Sequence, residues 1–313
     1  MTKKYDFIIL GGGGSGLAAA MYGARLNLKT LILGTTNGTE LPIGGVITTT
    51  DIVENYPGFI KISGFELAKK LEEHARAYDL VTIKEEKATE VKKSENGFVV
   101  KTNKEEYQSK TILFATGTKV RKLEVPGSEE FKNKGVHYCA LCDGLLYKNK
   151  ILAVVGGSDA SAKDALLLSK YAKKVYIIYR GKEIHPEPIN FEKIKKNKKI
   201  EVVNNTNIKE IKGGKFVESV ILDKPYKNNE ELKIEGVFVA IGHIILSELA
   251  ESLKVKLNEK KEIEINHATS ETNVKGVFAA GDVTDKQFKQ LITGVAQGVT
   301  AAYSSYEYLQ NNL

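Results

Sequence analysis

The chain has 313 residues, 42% of them hydrophobic, with 46 lysines and arginines against 39 aspartates and glutamates. That length holds two domains of ordinary size, and that apolar fraction supports packed cores and argues against disorder. No apolar run is long enough to span a bilayer, and the net charge of +7 is spread along the chain with one dense patch at 193–199, which reads as a solvated helix face or loop rather than a nucleic-acid surface.

Residues 5–10 form a short apolar strand that runs into Gly11, Gly12, Gly13, Gly14, Ser15 and Gly16, then into a helix over 17–25. This is G-x-G-x-x-G set between strand and helix. Gly11 allows the tight turn, Gly13 lets backbone approach a pyrophosphate, and Gly16 lets helix and strand pack closely. The pyrophosphate would meet free N–H groups at the helix start. The next strand, 30–33, ends in Gly34 with no acidic residue at its tip, so a ribose contact is expected from elsewhere or from Glu40. Residues 44–58 are rich in Gly and Thr and read as a loop that brings backbone close to a ligand. Gly44, Gly45 and Asn55 lie in it, and Asn55 offers both a donor and an acceptor to a ring edge.

A helix is predicted over 64–77, with Leu67, Leu71 and Ala75 on its apolar stripe. Strand patterns follow at 81–83, 87–92, 98–102 and 106–109, with a turn at 95–97, and a buried strand over 111–117 ends at Ala115, Thr116 and Gly117. Residues 121–127 read as a linker. The strand 151–155 leads into Gly156, Gly157, Ser158, Asp159, Ala160 and Ser161, then a helix over 162–171. This is a second glycine turn, degraded at its second and third glycine positions by Ser158 and Ser161. The strand 175–178 ends near Arg180 and Lys182, where a 2′-phosphate would need cations. Strands at 200–203, 208–211, 217–222 and 236–240 follow, the last closing on Ile241 and Gly242. A buried strand over 276–283 contains Gly281 and Asp282, whose carboxylate can accept from sugar hydroxyls. A helix over 288–310 closes the chain.

The two cysteines, Cys139 and Cys142, stand two residues apart with Asp143 directly after them. Such a pair can close a small disulfide ring, and its first thiol often has a lowered pKa, which suits exchange with a partner disulfide. Asp143 can hand a proton to a departing thiolate or take one from an incoming thiol. Two other readings stay open. The cysteines could be buried structural residues, or half of a zinc site for which His137 and Asp143 are the candidate completing ligands. His137 itself reads as a surface or packing residue. The absence of a signal-peptide pattern and of a wider disulfide framework leads us to expect a cytoplasmic protein.

In this order, the parts resemble the low-molecular-weight thioredoxin reductases over essentially the full length. The likeness rests on the first glycine turn, Gly44–Gly45 with the following Thr run and Glu54–Asn55–Tyr56–Pro57–Gly58, Ala115–Thr116–Gly117, Cys139–Ala140–Leu141–Cys142–Asp143–Gly144, and Ala279–Ala280–Gly281–Asp282–Val283. The resemblance implies an α/β fold of two Rossmann-like, three-layer ββα nucleotide-binding domains, the second inserted into the first. It implies an FAD domain over 1–116 and 246–313 and an NAD(P)H-type domain over 117–245 that carries the cysteines. FAD would be held by Gly11, Gly13, Ser15, Gly16, Gly44, Gly45, Asn55, Ala115, Gly117, Gly281, Asp282, Lys289, Gln290 and Leu291. NADPH or NADH would lie at Gly156, Gly157, Ser158, Asp159, Ala160, Ser161, Arg180, Lys182, Ile241 and Gly242. Cys139, Cys142 and Asp143 would be catalytic, with Cys142 beside the flavin and Cys139 attacking thioredoxin. A homodimer is implied, with no metal, nucleic acid or membrane partner.

The second nucleotide turn departs from the family pattern, which is roughly GGGxSA followed by HRR and a further Arg. Here it reads Gly-Gly-Ser-Asp-Ala-Ser, then Tyr179–Arg180–Gly181, with His185 near the place of the further Arg. A poor preference for NADPH over NADH is expected. Three rival readings keep the flavin: a donor such as reduced ferredoxin, a dithiol oxidase that passes electrons to oxygen, and a non-catalytic flavin redox sensor.

Overall fold

The computed structural model describes residues 3–34 and 41–311, so Glu40 lies outside the described residues. The chain divides into two compact units, Met1–Lys119 with Ile245–Leu313, and Val120–Ile244. The first unit opens with β1 (Lys3–Leu10), which ends in four fully buried residues, Phe7 to Leu10. A strand apolar on both faces must be covered on both. Phe7 and Ile9 share a cluster with Leu17, Ala19 and Ala20 of helix α1 (Gly14–Arg25). Ile8 and Leu10 share another with Val91, Phe98, Val100 and Tyr107. Next come β2 (Thr30–Gly34), α2 (Gly64–Arg76) and β3 (Val81–Glu85). Ser63 starts α2 by accepting the Glu66 N–H at 3.1 Å, the S-x-x-E cap its sequence spells.

A meander of β4 (Ala88–Ser94), β5 (Gly97–Thr102) and β6 (Glu106–Phe114) follows. β6 is one strand, where the sequence pattern suggested two. One of its edges pairs with β1 along its length, from Lys3 opposite Tyr107 to Leu10 opposite Phe114. Its other edge takes β5 first, with Phe98 opposite Ser109, and then the late strand that carries Val277 opposite Ile112. The pattern breaks at Lys110 because the neighbour changes there, while the backbone runs on.

The chain passes to the second unit after β7 (Thr118–Val120) begins. There it forms β8 (Val136–His137), α3 (Ala140–Asp143), β9 (Ile151–Val155), α4 (Asp159–Leu168), β10 (Lys174–Tyr179), α5 (Pro188–Lys196) and β11 (Ile200–Asn204). Then come β12 (Ile208–Gly213), β13 (Val217–Tyr226), β14 (Asn229–Lys233) and β15 (Gly236–Val239). Five strands make a parallel sheet in the order β11-β10-β9-β15-β8, and β12-β13-β14 make an antiparallel one. Alternation along β9 shows how the layers stack. Leu152 and Val154 join Ala162, Ala165 and Leu168 on the helical side, while Ala153 and Val155 join Ile208, Val217 and Val220 of the antiparallel sheet.

The return leads through β16 (His243–Ile245) to α6 (Glu248–Glu251), β17 (Val277–Ala279) and α7 (Leu291–Asn311). In the first unit the sheet order is β3-β2-β1-β6-β5-β4, with β17 beside β6. Both units are Rossmann-like, each with parallel strands at the centre of its sheet and a helix directly after its first glycine turn. The segment at 121–127, read as a linker, is packed instead. Ile211 N–H bonds the Pro126 carbonyl at 2.9 Å, and Leu123 and Val125 lean on the core beneath the antiparallel sheet.

Candidate active site

Cys139 and Cys142 form a disulfide with their Cα atoms 5.3 Å apart. Cys139 stands just before α3, and the Cys142 N–H donates to Cys139 Sγ at 3.1 Å. A donor aimed at that sulfur favours its thiolate once the bond is reduced. Gly144 lets this turn sit against α4, since a Cβ there would lie 2.7 Å from the Leu168 side chain. Cys142 is exposed and Cys139 half-buried. Both sulfurs are engaged in the disulfide, so this state offers no thiolate to a zinc ion.

His137 is only 4% exposed, so it is a buried residue and not a surface one. Its ring stacks on Phe238, the residue opposite it in β15, with centroids 5.3 Å apart. Its Nδ1 lies 3.0 Å from Asp143 Oδ2, and its Nε2 lies 2.7 Å from the Tyr147 hydroxyl. Burial, then the nearby Asp143 carboxylate, pushes the Tyr147 phenol up, so it stays neutral and can donate. Neither this use of His137 nor Tyr147 was visible in the sequence. The signal is the β8–β15 pairing, which is not local.

In the first unit the structure brings the expected cofactor residues into one chain of contacts. Gly11 has φ +119°, and a Cβ there would lie 2.1 Å from the Ala115 carbonyl oxygen. A Cβ on Gly16 would lie 2.0 Å from the Gly11 oxygen. Gly13 bridges Gly44, and a Cβ on Gly45 would lie 3.1 Å from Gly13 Cα. Leu291 approaches Gly14, Ser15 approaches Gly281, and Asn55 Nδ2 donates to Gln290 Oε1 at 3.0 Å. Lys289 is held by Glu262 and by the Asp282 carbonyl, 2.8 Å away. Burial works against the Glu262 charge, but Lys289 and Asn258 hold its carboxyl below the usual range. Gly117, at φ +61°, accepts the Leu246 N–H. The buried Gln297, which sequence reasoning missed, accepts the Gly281 N–H at 2.9 Å.

Gly13 tests whether these residues fit a dinucleotide. Its φ of −76° and ψ of −179° suit any residue, and a Cβ there would meet nothing nearer than Gly44 O at 3.9 Å. Packing within the chain therefore does not require glycine at this point. No side chain caps α1, so its first N–H groups face the same open space. The arrangement fits a pyrophosphate lying on bare backbone.

In the second unit Gly156 has φ +146°, and a Cβ there would lie 2.2 Å from the Ala240 oxygen. Ser158 stands before α4 with φ −87° and ψ −179° and makes no capping bond. The α4 N-terminus is thus open to a phosphate, with one more side chain at its mouth. Ser161 is buried and donates to the Ser158 carbonyl at 2.7 Å. The Asp159 carboxylate turns to α5, accepting from Glu187 N–H at 2.9 Å and Asn190 Nδ2 at 2.8 Å, and pairs with Lys163 at 2.7 Å. Burial opposes its charge, yet these partners hold it below the usual carboxylate range. Ala160 is exposed, as are Arg180 and Lys182 just beyond β10, and Gly242 has φ +95° with open space around it. Ile241 packs beside the core of the antiparallel layer. The second unit holds 23 lysines and arginines against 16 acidic residues, whereas the first holds 23 of each. The whole excess of positive charge therefore belongs to the unit with the disulfide.

Residues 5–298 match the family described as pyridine nucleotide-disulphide oxidoreductase. The thioredoxin reductase of Bacillus subtilis is 37% identical over 313 residues, covering 98% of this chain and 96% of that protein. The crystal structure of Lactococcus lactis thioredoxin reductase superposes with a TM-score of 0.91 at 34% identity, covering 98% of this chain and 99% of the other. The crystal structure of T. acidophilum thioredoxin reductase gives 0.90 at 34% identity, covering 97% of this chain and 98% of the other. The chain belongs to the pyridine nucleotide-disulphide oxidoreductases, within their low-molecular-weight thioredoxin reductase family.

Proposed function

We propose that the chain is an FAD-dependent thioredoxin-disulfide reductase that draws electrons from NAD(P)H and delivers them to the disulfide of a thioredoxin-like protein. The observation that carries this reading is the closed Cys139–Cys142 disulfide with a carboxyl group at the next residue. When bound, FAD supplies a two-electron carrier between a nicotinamide and a disulfide. Gly11, Gly13, Ser15, Gly16, Gly44, Gly45, Asn55, Ala115, Gly117, Gly281, Asp282, Lys289, Gln290 and Leu291 hold it. The second turn, from Gly156 to Ser161 with Arg180, Lys182, Ile241 and Gly242, takes the nicotinamide dinucleotide.

The chain's own residues then perform the thiol chemistry. In the reduced pair, the Cys139 thiolate attacks one sulfur of the partner disulfide, forms a mixed disulfide and expels a thiolate, which Asp143 protonates. The Cys142 thiolate next attacks Cys139 Sγ, restores the Cys139–Cys142 bond and releases the second partner thiol. Two electrons leave the pair and two thiols form. The Cys142 N–H aimed at Cys139 Sγ supports Cys139 as the nucleophile. The basic second unit favours encounter with an acidic partner face. We place the enzyme in the cytoplasm as a homodimer, and a monomer by light scattering at micromolar concentration would remove the dimer. Among the described residues no helix is long and apolar enough to cross a membrane.

The test is a trapping experiment with oxidised thioredoxin and enzyme reduced beforehand. Cys142→Ser should accumulate a mixed disulfide through Cys139 and lose turnover while keeping its flavin. Cys139→Ser should trap nothing. Turnover near the wild-type rate in either variant sinks the dithiol mechanism.

A further inference from the structure

We infer that His137 is a positioning residue for the thiol–disulfide step, holding the Asp143 carboxyl beside the disulfide and linking it to the Tyr147 hydroxyl. This rests on the acid–base role given to Asp143 above.

The chemistry of the three groups fixes the direction of the link. An ionised carboxylate only accepts, so the ring nitrogen facing Asp143 is the one that carries hydrogen. Neutral imidazole then leaves Nε2 as an acceptor, and the Tyr147 hydroxyl, 2.7 Å away, is its donor. The contact with Asp143 is a short charge-to-ring approach at 3.0 Å, without an aligned hydrogen bond. A buried nitrogen in this position has a strong interest in any negative charge that forms at Asp143. That charge forms each time Asp143 gives its proton to a departing thiolate, and it disappears when Asp143 takes a proton back.

The surroundings leave the ring little freedom. Phe238 of β15 stacks on one face, and Tyr147 approaches edge-on with centroids 5.3 Å apart. Among the described residues, the titratable groups in contact with the ring are Asp143, from α3, and Tyr147, from the turn that follows. The element on the other side presents only the apolar Phe238. Removing His137 therefore changes the electrostatics of Asp143 and takes the ring nitrogen away from the Tyr147 hydroxyl. The β8 strand ends at His137, two residues before Cys139. The same short segment thus fixes both the nucleophile and the group that steadies its acid.

The experiment uses flavin-loaded enzyme reduced with excess dithiol and freed of reagent. It is then mixed with oxidised thioredoxin, whose departing alkyl thiolate takes up a proton, and formation of the mixed disulfide is followed by quenched flow between pH 5 and 9. His137→Phe should slow the single-turnover exchange about 10–100-fold. His137→Gln, which keeps an amide donor toward Asp143, should recover most of the rate. In an Asp143→Asn background, adding His137→Phe should change nothing further. Flavin content and circular dichroism show that each variant is folded, and the glutamine variant carries the test if the phenylalanine one is not. A slow Asp143→Asn with wild-type rates and profiles in both His137 variants overturns this inference alone. An equal further loss in the double variant also overturns it. An Asp143→Asn variant with wild-type exchange overturns the acid–base reading and this inference with it.

Discussion

The two glycine turns of this chain share a backbone and differ in what the backbone is free to touch. Gly11 and Gly156 are bound by the same constraint. Each has a positive φ, and in each a Cβ would run into a carbonyl oxygen of the neighbouring strand, Ala115 at 2.1 Å and Ala240 at 2.2 Å. The next positions also match, Gly13 and Ser158 having φ values of −76° and −87° with the same ψ. There the likeness stops. Gly13 opens onto empty space, whereas Ser158 extends a side chain into the corresponding space. Gly16 presses on the Gly11 oxygen, whereas its counterpart Ser161 fits beside Gly156 and bonds the Ser158 carbonyl. The first glycine of the fingerprint is thus a demand of the strand–turn–helix topology, and it persists wherever that topology persists. The second reports how closely a ligand must approach, and the third reports how tightly helix and strand are pressed together.

The largest effect should come from forcing one turn to resemble the other. Gly16→Ala should cost about 3 kcal/mol or more, because the methyl meets backbone that cannot move aside. Ser161→Ala should cost only about 1 kcal/mol, the worth of one hydrogen bond. Thermal or urea unfolding of the two variants measures the contrast, and similar losses would show that the second turn is as tightly pressed as the first.

A smaller effect, confined to the ligand, is expected of Gly13→Ser. The apoprotein should unfold within about 0.5 kcal/mol of wild type, since the site has room and serine is a good helix cap. Flavin affinity should fall about 10–100-fold, or about 1.4–2.8 kcal/mol. Flavin titration of apoprotein checks both halves, and unchanged affinity would mean that the pyrophosphate lies elsewhere.

An effect of similar size on the ligand, with none on the fold, concerns the nicotinamide donor. A charge-assisted contact is worth about 1.5–3 kcal/mol, so Arg180→Ala should weaken NADPH by about 10–100-fold and leave NADH nearly unchanged. We expect weak discrimination in the wild type, because Lys182 offers a point charge where a second guanidinium fork would grip the phosphate. Ser158→Gly should tighten both nucleotides by a few-fold. Stopped-flow reduction with each nucleotide decides the matter, and strong wild-type selection for NADPH would show that a single arginine suffices.

Much of this was legible in the sequence because glycine turns and alternating strands are local signals. The Rossmann-like units and both glycine turns follow from residues next to one another. Elements without an apolar pattern were not legible. Helix α5 begins at Pro188 and buries only Asn190 and Ile194, so its lysines outweigh its stripe. Strand β14 is Asn-Glu-Glu-Leu-Lys, mostly exposed and formed only because β13 offers it an edge. Asp159 was read as a nucleotide contact, and the bonds its carboxylate makes to Glu187 and Asn190, 28 and 31 residues away, were not legible. His137 is the sharpest case: its neighbours Phe238, Asp143 and Tyr147 converge through sheet pairing and a helical turn that no spacing rule encodes.

The interrupted first unit also sets an order of events during synthesis. Phe7, Ile9, Ile32 and Leu113 share their cluster with Phe278, Ala301, Ala302 and Leu309. Those partners leave the ribosome last, while the second unit, unbroken from Val120 to Ile244, already has its whole core. Domains fold as units while the chain emerges. The later-encoded unit therefore matures first, and the nascent N-terminal strands wait with an apolar face uncovered until the final helix arrives. That interval makes the N-terminal segment the part of the nascent chain most dependent on chaperone protection, even though its finished form is among the best buried regions of the protein.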